Sequence, residues 1–464
     1  MWAMVFKMKH KWPLLTALLL AVMSIYSCSP DEFGFTPTPS PGRTEKEPSI
    51  RVPAPDYKNV FIIYSMGYNN LASYLKTNIN DILRNPISAN PRDVVLILSH
   101  LSKTNLDYST PTRPSLTQVS QNLDGSIQKD TLMILPETTI TSSPDVLNMV
   151  LTYIHENFNA ESYGMLMSSH GSGWVPAEYF TKASSYENQS ESNDVEDNDG
   201  NIEICRQIQN SDKIQNPEPY RERFPLVKSI GAHYDHLKNS KEIEIKDLAA
   251  SIPFKLDYLI FDACLMGGVE VAYELRHITD RIIFSQTEIL ADGMHYPSLC
   301  GHLFKKGGPD LENVCKKYYE IYDKQSGTYK SATISLIDCT KLEALSEITQ
   351  EIISQHRNEF AALQNNRDNI QKYFCSPYTS NQKWYYDFED IIIKCGLTEE
   401  ESSTFGSALE DVVIYKAATP RFMNNLTINT HSGLSMYLPF TTGRDYLNNF
   451  YKSLEWNKAT GLIQ

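Results

Sequence analysis

The chain has 464 residues, 41% hydrophobic and 21% charged, enough for one large or two to three ordinary globular domains and too apolar to be disordered throughout. A formal net charge of -14 opposes binding to a phosphate backbone, so no nucleic-acid role is expected, whereas cationic ligands suit it. Eight cysteines are scattered without a CxxC pair, which fits neither a zinc site nor a dense disulfide scaffold.

At the N-terminus, Lys7, Lys9 and Lys11 precede the apolar run Pro13 to Met23, which has the length of a signal h-region and is short for a membrane span. The run stops at Ile25-Tyr26-Ser27-Cys28, where a small residue before the cysteine resembles a bacterial lipoprotein box. Residues 1–28 are therefore expected to be a lipoprotein signal peptide that leaves Cys28 as the lipid-bearing first residue. The protein would then sit on a bacterial membrane, at the outer membrane or cell surface; the alternative is a soluble secreted protein. Residues 29–56 follow as a tether rich in Pro, Ser and Thr, with PTPSPGR at its centre and too little apolar surface to fold.

Beyond the tether, apolar runs alternate with helical stripes. Val60 to Tyr64, Asp93 to Ser99, Thr131 to Leu135, Gly164 to Ser169, Leu256 to Phe261 and Arg281 to Ser285 are apolar enough for strands covered on both faces. Between them, Leu71, Tyr74, Leu75, Ile79, Ile82 and Leu83 form a helical stripe that stops before Asn85-Pro86. A second stripe, Leu147, Val150, Leu151, Ile154 and Phe158, follows Ser143-Pro144, where serine suits the N-cap and proline the first helical position. Such alternation predicts an α/β architecture with a mostly parallel sheet covered on both faces.

A polar insert from about 182 to 225 interrupts the alternation and is too hydrophilic for a compact loop. Within it Asp197, Asp199, Gly200 and Ile202 resemble part of a calcium loop, but the first ligand position would be Val195 and the last Arg206. That motif is incomplete, so no metal site and no cofactor are expected. After about Cys300 the elements are mixed: SATISLID, a capping box Thr340-Lys341-Leu342-Glu343 opening a helix through about His356, the strand-like SGLSMYLPF and the helical DYLNNFYKSLEW. Residues 301–464 read as an appended α+β subdomain without chemistry of its own.

Two positions could carry chemistry. His170 ends the run GMLMSS and enters the turn His170-Gly171-Ser172-Gly173, and Cys264 ends LDYLIF and enters Gly267-Gly268 before a stripe of Met266, Val269, Ala272 and Tyr273. In an open parallel sheet, functional groups collect at the carboxyl ends of strands. A thiol beside an imidazolium or a helix N-terminus becomes substantially thiolate near neutral pH. The glycines would let backbone N–H groups approach a substrate carbonyl. Setting Cys28 aside leaves an odd number of cysteines, seven, so at least one thiol is unpaired within the chain.

SSHGSGW together with IFDACLMGGVEVAYEL resembles the clostripain family of cysteine peptidases, relatives of caspases, legumains and gingipains. YNNLASYL after VFIIYSMG, and GLSMYLPF with the late Trp456, are similar to the gut-bacterial lipoprotein form of that family. The resemblance implies a caspase-like three-layer α/β/α sandwich with a mostly parallel sheet over residues 57–300, followed by the C-terminal subdomain. It implies a cysteine endopeptidase in which Cys264 attacks the scissile carbonyl, His170 exchanges protons, and the backbone amides of Gly171 and Cys264 hold the oxyanion. The substrates implied are proteins or peptides cut after Arg or Lys. Asp262 matches a position of the basic-residue pocket and Asp292 is a second candidate, since a carboxylate gives arginine a charge-assisted partner. Self-processing in the insert is implied as well, with Arg206, Lys213, Arg221 and Arg223 as available cut sites. Tyr68 stands before Asn69-Asn70 where many relatives carry aspartate. The alternative function is a catalytically silent surface lipoprotein that uses the fold as a binding module.

Overall fold

Nine strands form one mixed sheet in the computed structural model, which describes residues 56–103, 111–177, 179, 233–234, 240–374, 383–423, 425–441 and 443–464. The strands are β1 (Tyr57–Gly67), β2 (Asp93–Leu101), β3 (Ser115–Gln121), β4 (Ile127–Ile134), β5 (Ala160–Ser168), β6 (Tyr258–Asp262), β7 (Arg281–Phe284), β8 (Thr333–Asp338) and β9 (Val413–Ala418). Their order is β9-β8-β7-β6-β5-β1-β2-β3-β4. The central five, from β7 to β2, are parallel, and antiparallel pairing completes both edges. Cys28, the tether up to residue 55 and the 182–225 insert lie outside the described residues.

The connections explain the layers. From β1 the chain crosses to β2 through α1 (Ala72–Arg84), then reverses direction to reach β5 through α2 (Pro144–Asn157), β6 through α3 (Ile245–Ser251) and β7 through α4 (Val269–Leu275). Right-handed crossovers made in opposite directions put their helices on opposite faces. α5 (Tyr296–Leu303) packs with α1 and α6 (Leu311–Asp323) with α5, while α2, α3 and α4 pack in succession on the other side. The three-layer sandwich follows. The reversal between β1 and β5 is a topological switch point, where the carboxyl ends of strands open a crevice.

Local sequence explains the helix starts in part. Ser143 Oγ accepts from Val146 N at 3.4 Å with Pro144 at the first helical position, as the Ser-Pro pair predicts. The box predicted at Thr340–Glu343 does not form. Asp338 instead caps a short turn through Thr340 N at 3.0 Å, and α7 (Leu342–Gln355) begins without a side-chain cap. Glu343 is drawn away by Arg276 at 2.5 Å and the Tyr273 hydroxyl at 2.7 Å, which together outweigh one local bond to its own backbone.

Two further expectations are corrected. Thr131 to Leu135 is not a strand covered on both faces: it falls mostly in β4, the sheet's edge, where Ile134 is exposed. The residues after 300 are not set apart from the sheet, because β8 and β9 extend it and their side chains join the same hydrophobic core as β1 and β5. No helix among the described residues is long and apolar enough to cross a membrane.

Candidate active site

The pairing of β5 with β6 puts Ser168 opposite Asp262, and His170 and Cys264 each lie two residues further on. Equal overhang past a parallel register brings both to one rim of the sheet. A Cβ built at Gly171 would stand 2.6 Å from the Cys264 carbonyl oxygen, so the histidine turn lies directly on the cysteine turn and any side chain there would collide with backbone.

A third residue joins them from β1. Asn70 Oδ1 lies 2.7 Å from His170 Nε2, a hundred positions away in sequence. The loops carrying the two are held by one acceptor, the Met66 carbonyl, which receives Ser169 Oγ at 3.0 Å and Asn69 Nδ2 at 3.2 Å. Asn69 also accepts from Leu71 N at 2.9 Å, and its carbonyl accepts the Ser102 hydroxyl at 3.0 Å. The sequence reading missed Asn70 as a partner of His170, since nothing local in the chain links them.

The Cys264 thiol is fully buried. Ile289 N–H donates to Sγ at 3.0 Å, and Sγ reaches the Ile289 carbonyl at 3.7 Å. The turn that carries it is stapled to the chain after β7 by Leu265 N to Thr287 O at 3.0 Å and Gly267 N to Ser285 O at 2.7 Å. Leu265 adopts φ 61, a left-handed conformation that costs a non-glycine residue roughly 1–2 kcal/mol. The glycine expected to admit a substrate has another task here. Gly267 donates its N–H to Ser285, and a Cβ on it would stand 2.7 Å from Gln286 N, so glycine is needed for close packing.

Side chains alternate across the sheet, so Met167 and Phe261 face one side while Ser168 and Asp262 face the other. On the first side a cavity beside His170 is lined by Met66, Met167, Phe261 and Met266, with Ile243 and Glu242 among its walls. On the second side Asp262 is fully buried and accepts Ser168 Oγ at 2.9 Å and the Tyr296 hydroxyl at 2.5 Å. Burial, then the Asp262 charge, pushes the Tyr296 hydroxyl well above its ordinary range. Asp292 sits exposed on the turn closed by Gly293 N to Leu290 O at 2.8 Å. Tyr322 links the acids: its hydroxyl donates to the Gly293 carbonyl at 2.8 Å and, raised first by burial, feels the charges of both Asp292 and Asp262.

The C-terminal part buttresses this rim. Ser435 N donates to the Gly267 carbonyl at 2.8 Å, and Glu270, on the helix after Cys264, accepts Tyr437 N at 2.7 Å. Trp174, just past the histidine turn, packs on Tyr437 and Tyr451 with centroids 4.7 and 5.0 Å away. The Tyr385 hydroxyl donates to the Ser172 carbonyl at 2.7 Å. Cys264 is joined in the core by four further cysteines, Cys300, Cys315, Cys339 and Cys395, which are free and buried. Burial pushes the Cys300 and Cys395 thiols up to about 12 and raises Cys315 and Cys339 as well, so none of these four supplies thiolate near neutral pH.

A caspase-like sandwich with an imidazole and a thiol on adjacent turns of one rim defines the class as a cysteine peptidase scaffold. The chain belongs to the clostripain family, whose sequence profile matches residues 63–200 and 220–461. It is 20% identical over 373 residues to clostripain from Hathewaya histolytica, which covers 68% of this chain and 62% of that protein, so the chain spans less than two thirds of the relative it matches. Among solved structures, an inactive protease zymogen from Parabacteroides distasonis is 26% identical with a TM-score of 0.65, covering 88% of this chain and 99% of that one. A secreted cysteine protease from Bacteroides thetaiotaomicron has the same fold at 21% identity and a TM-score of 0.65, over 87% of this chain and 99% of that one.

Proposed function

We propose that this protein is a cysteine endopeptidase that cuts after Arg or Lys, with Cys264 as nucleophile and His170 as its acid–base partner. The observation that supports it is the equal overhang of the two residues past Ser168 and Asp262. In the reaction, the thiol proton passes to the imidazole and sulfur attacks the scissile carbonyl. The N–H groups of Gly171 and Cys264 would hold the resulting oxyanion. The imidazolium then protonates the leaving amine, and water hydrolyses the acyl-enzyme thioester. Replacing Cys264 by Ala should abolish hydrolysis of an arginyl amide, and undiminished turnover in that variant would sink the proposal.

The described conformation is read as a closed form, because the thiol cannot meet a peptide while it is buried against Ile289. A relative of like fold is an inactive zymogen, which supports a latent state here. Cleavage in the 182–225 insert, after Arg206, Lys213, Arg221 or Arg223, is the proposed release. Asp292, exposed on its turn, is the proposed partner for a basic side chain, and the buried Asp262 is the second candidate. Export and lipid attachment at Cys28 rest on the N-terminal pattern alone; metabolic labelling with a fatty acid, lost in Cys28→Ala, tests them.

The buried thiol also favours a second reading, a silent binding module on the same fold. An arginyl reagent that alkylates thiols decides between them: modification of Cys264 after treatment of the chain with a trypsin-like protease supports the enzyme, and none supports the module.

A further inference from the structure

We propose that Asn70 is the positioning residue for His170, fixing the imidazole so that Nδ1, rather than Nε2, exchanges protons with the thiol. The inference rests on the peptidase reading for its function, but its structural half stands on geometry alone. An amide oxygen can only accept. Asn70 Oδ1 at 2.7 Å therefore requires hydrogen on Nε2, and a neutral imidazole protonated at Nε2 carries its basic lone pair on Nδ1. When Nδ1 takes the proton of Sγ, the imidazolium keeps its Nε2–H on the same acceptor, and the proton on Nδ1 then passes to the leaving amine. Asn70 neither gains nor loses a proton in the cycle.

The pair is built to keep this geometry. Both partners hang from the Met66 carbonyl through Asn69 and Ser169, and Asn69 is further fixed by Leu71 N–H and the Ser102 hydroxyl. Asn70 lies in the loop just after β1 and His170 in the loop just after β5, the two sides of the switch point. A hydrogen bond between them therefore spans the crevice itself. Among the described residues, the titratable groups near the imidazole include Glu242, which lines the same cavity, and Cys264 on the adjoining turn.

The test has two independent readouts. Nitrogen-15 NMR of the full chain carrying Cys264→Ala should show His170 protonated at Nε2 in its neutral form, and that preference should vanish on adding Asn70→Ala. A spectrum with Nδ1 protonated, or one unchanged by Asn70→Ala, overturns the inference whatever the chain's activity. In kinetics of the processed protein, Asn70→Ala should lower kcat about 10- to 100-fold with little change in KM, as loss of one charge-assisted hydrogen bond predicts. Asn70→Asp, which keeps an acceptor of the same size, should recover much of the rate and move the His170-dependent limb of the pH profile upward by about one unit. A merely structural asparagine would leave the His170 tautomer preference unchanged in Asn70→Ala. Wild-type turnover with unaltered Asn70 variants removes this inference and spares the peptidase reading; no turnover and no Cys264 labelling in the wild type, with the tautomer as stated, removes the reading and spares the positioning.

Discussion

Glu270 and Tyr451 are joined by a 2.8 Å hydrogen bond across 181 positions of sequence, and the carboxyl is fully buried. Burial pushes this carboxyl up to about 7, against the lowering effect of the Tyr437 N–H and the Tyr451 hydroxyl. In the unfolded chain it would ionise near 4.3. Between these values the native state holds a proton that the unfolded state has lost, so stability falls as pH rises through that window. The fall from this group is on the order of 4 kcal/mol, since each pKa unit is about 1.4 kcal/mol. Glu270→Gln keeps an acceptor for Tyr437 and Tyr451 and removes the titration. Urea midpoints taken from pH 5 to pH 8 should therefore decline less in the variant than in the wild type; an equal decline would show that Glu270 ionises normally.

Alkylation of Cys264 should be limited by opening of the Ile289 contact, because Sγ is buried and hydrogen-bonded to both backbone groups of that residue. The rate of modification, followed by mass spectrometry of the Cys264 peptide, should level off as reagent concentration rises. Limited proteolysis of the insert should raise the plateau. A rate that stays proportional to reagent would mean that the thiol is already accessible.

Asp292→Asn and Asp262→Asn should separate substrate contact from structure. Asp292 is exposed on a turn, so its change should raise KM for arginyl substrates and leave the melting temperature nearly unmoved. Asp262 is buried and serves Ser168 and Tyr296, so Asp262→Asn should cost about 1–3 kcal/mol of stability. Thermal melts and arginyl amide kinetics on both variants check this, and a stability loss in Asp292→Asn with none in Asp262→Asn would reverse the roles.

Gly267→Ala should be destabilising by about 1–3 kcal/mol, because the added carbon meets not only the Gln286 side-chain nitrogen at 2.5 Å but also the Gln286 backbone nitrogen at 2.7 Å, which cannot swing away. Gly301→Ala is the control, with nothing within 4 Å of the added carbon. Similar denaturation midpoints for the two variants would contradict the close packing described around the cysteine turn.

What could be read in the sequence depends on how far each feature relies on distant partners. β1, β2, β5, β6 and β7 announce themselves because strands buried on both faces must be apolar at nearly every position, and Val60 to Tyr64 or Leu259 to Phe261 could hardly be anything else. β3 escaped because only Leu116 and Val119 of its residues are buried, three apart, so no apolar alternation with period two marks it as a strand. The box at Thr340–Glu343 was a sound local pattern overruled by Arg276, which is not local. His170 and Cys264 were legible through their turns. Asn70 was not, because its meaning comes only from the strand order that carries it to the histidine.

The carbonyl of Gly267 waits for a donor, Ser435, that leaves the ribosome long after the cysteine turn itself. Until that late segment arrives, the turn lacks its outer brace, the helix behind it lacks Tyr437 and Tyr451, and the tryptophan beyond the histidine has no aromatic bed. A nascent chain that has not yet reached Ser435 thus lacks the contacts that brace the turns carrying His170 and Cys264.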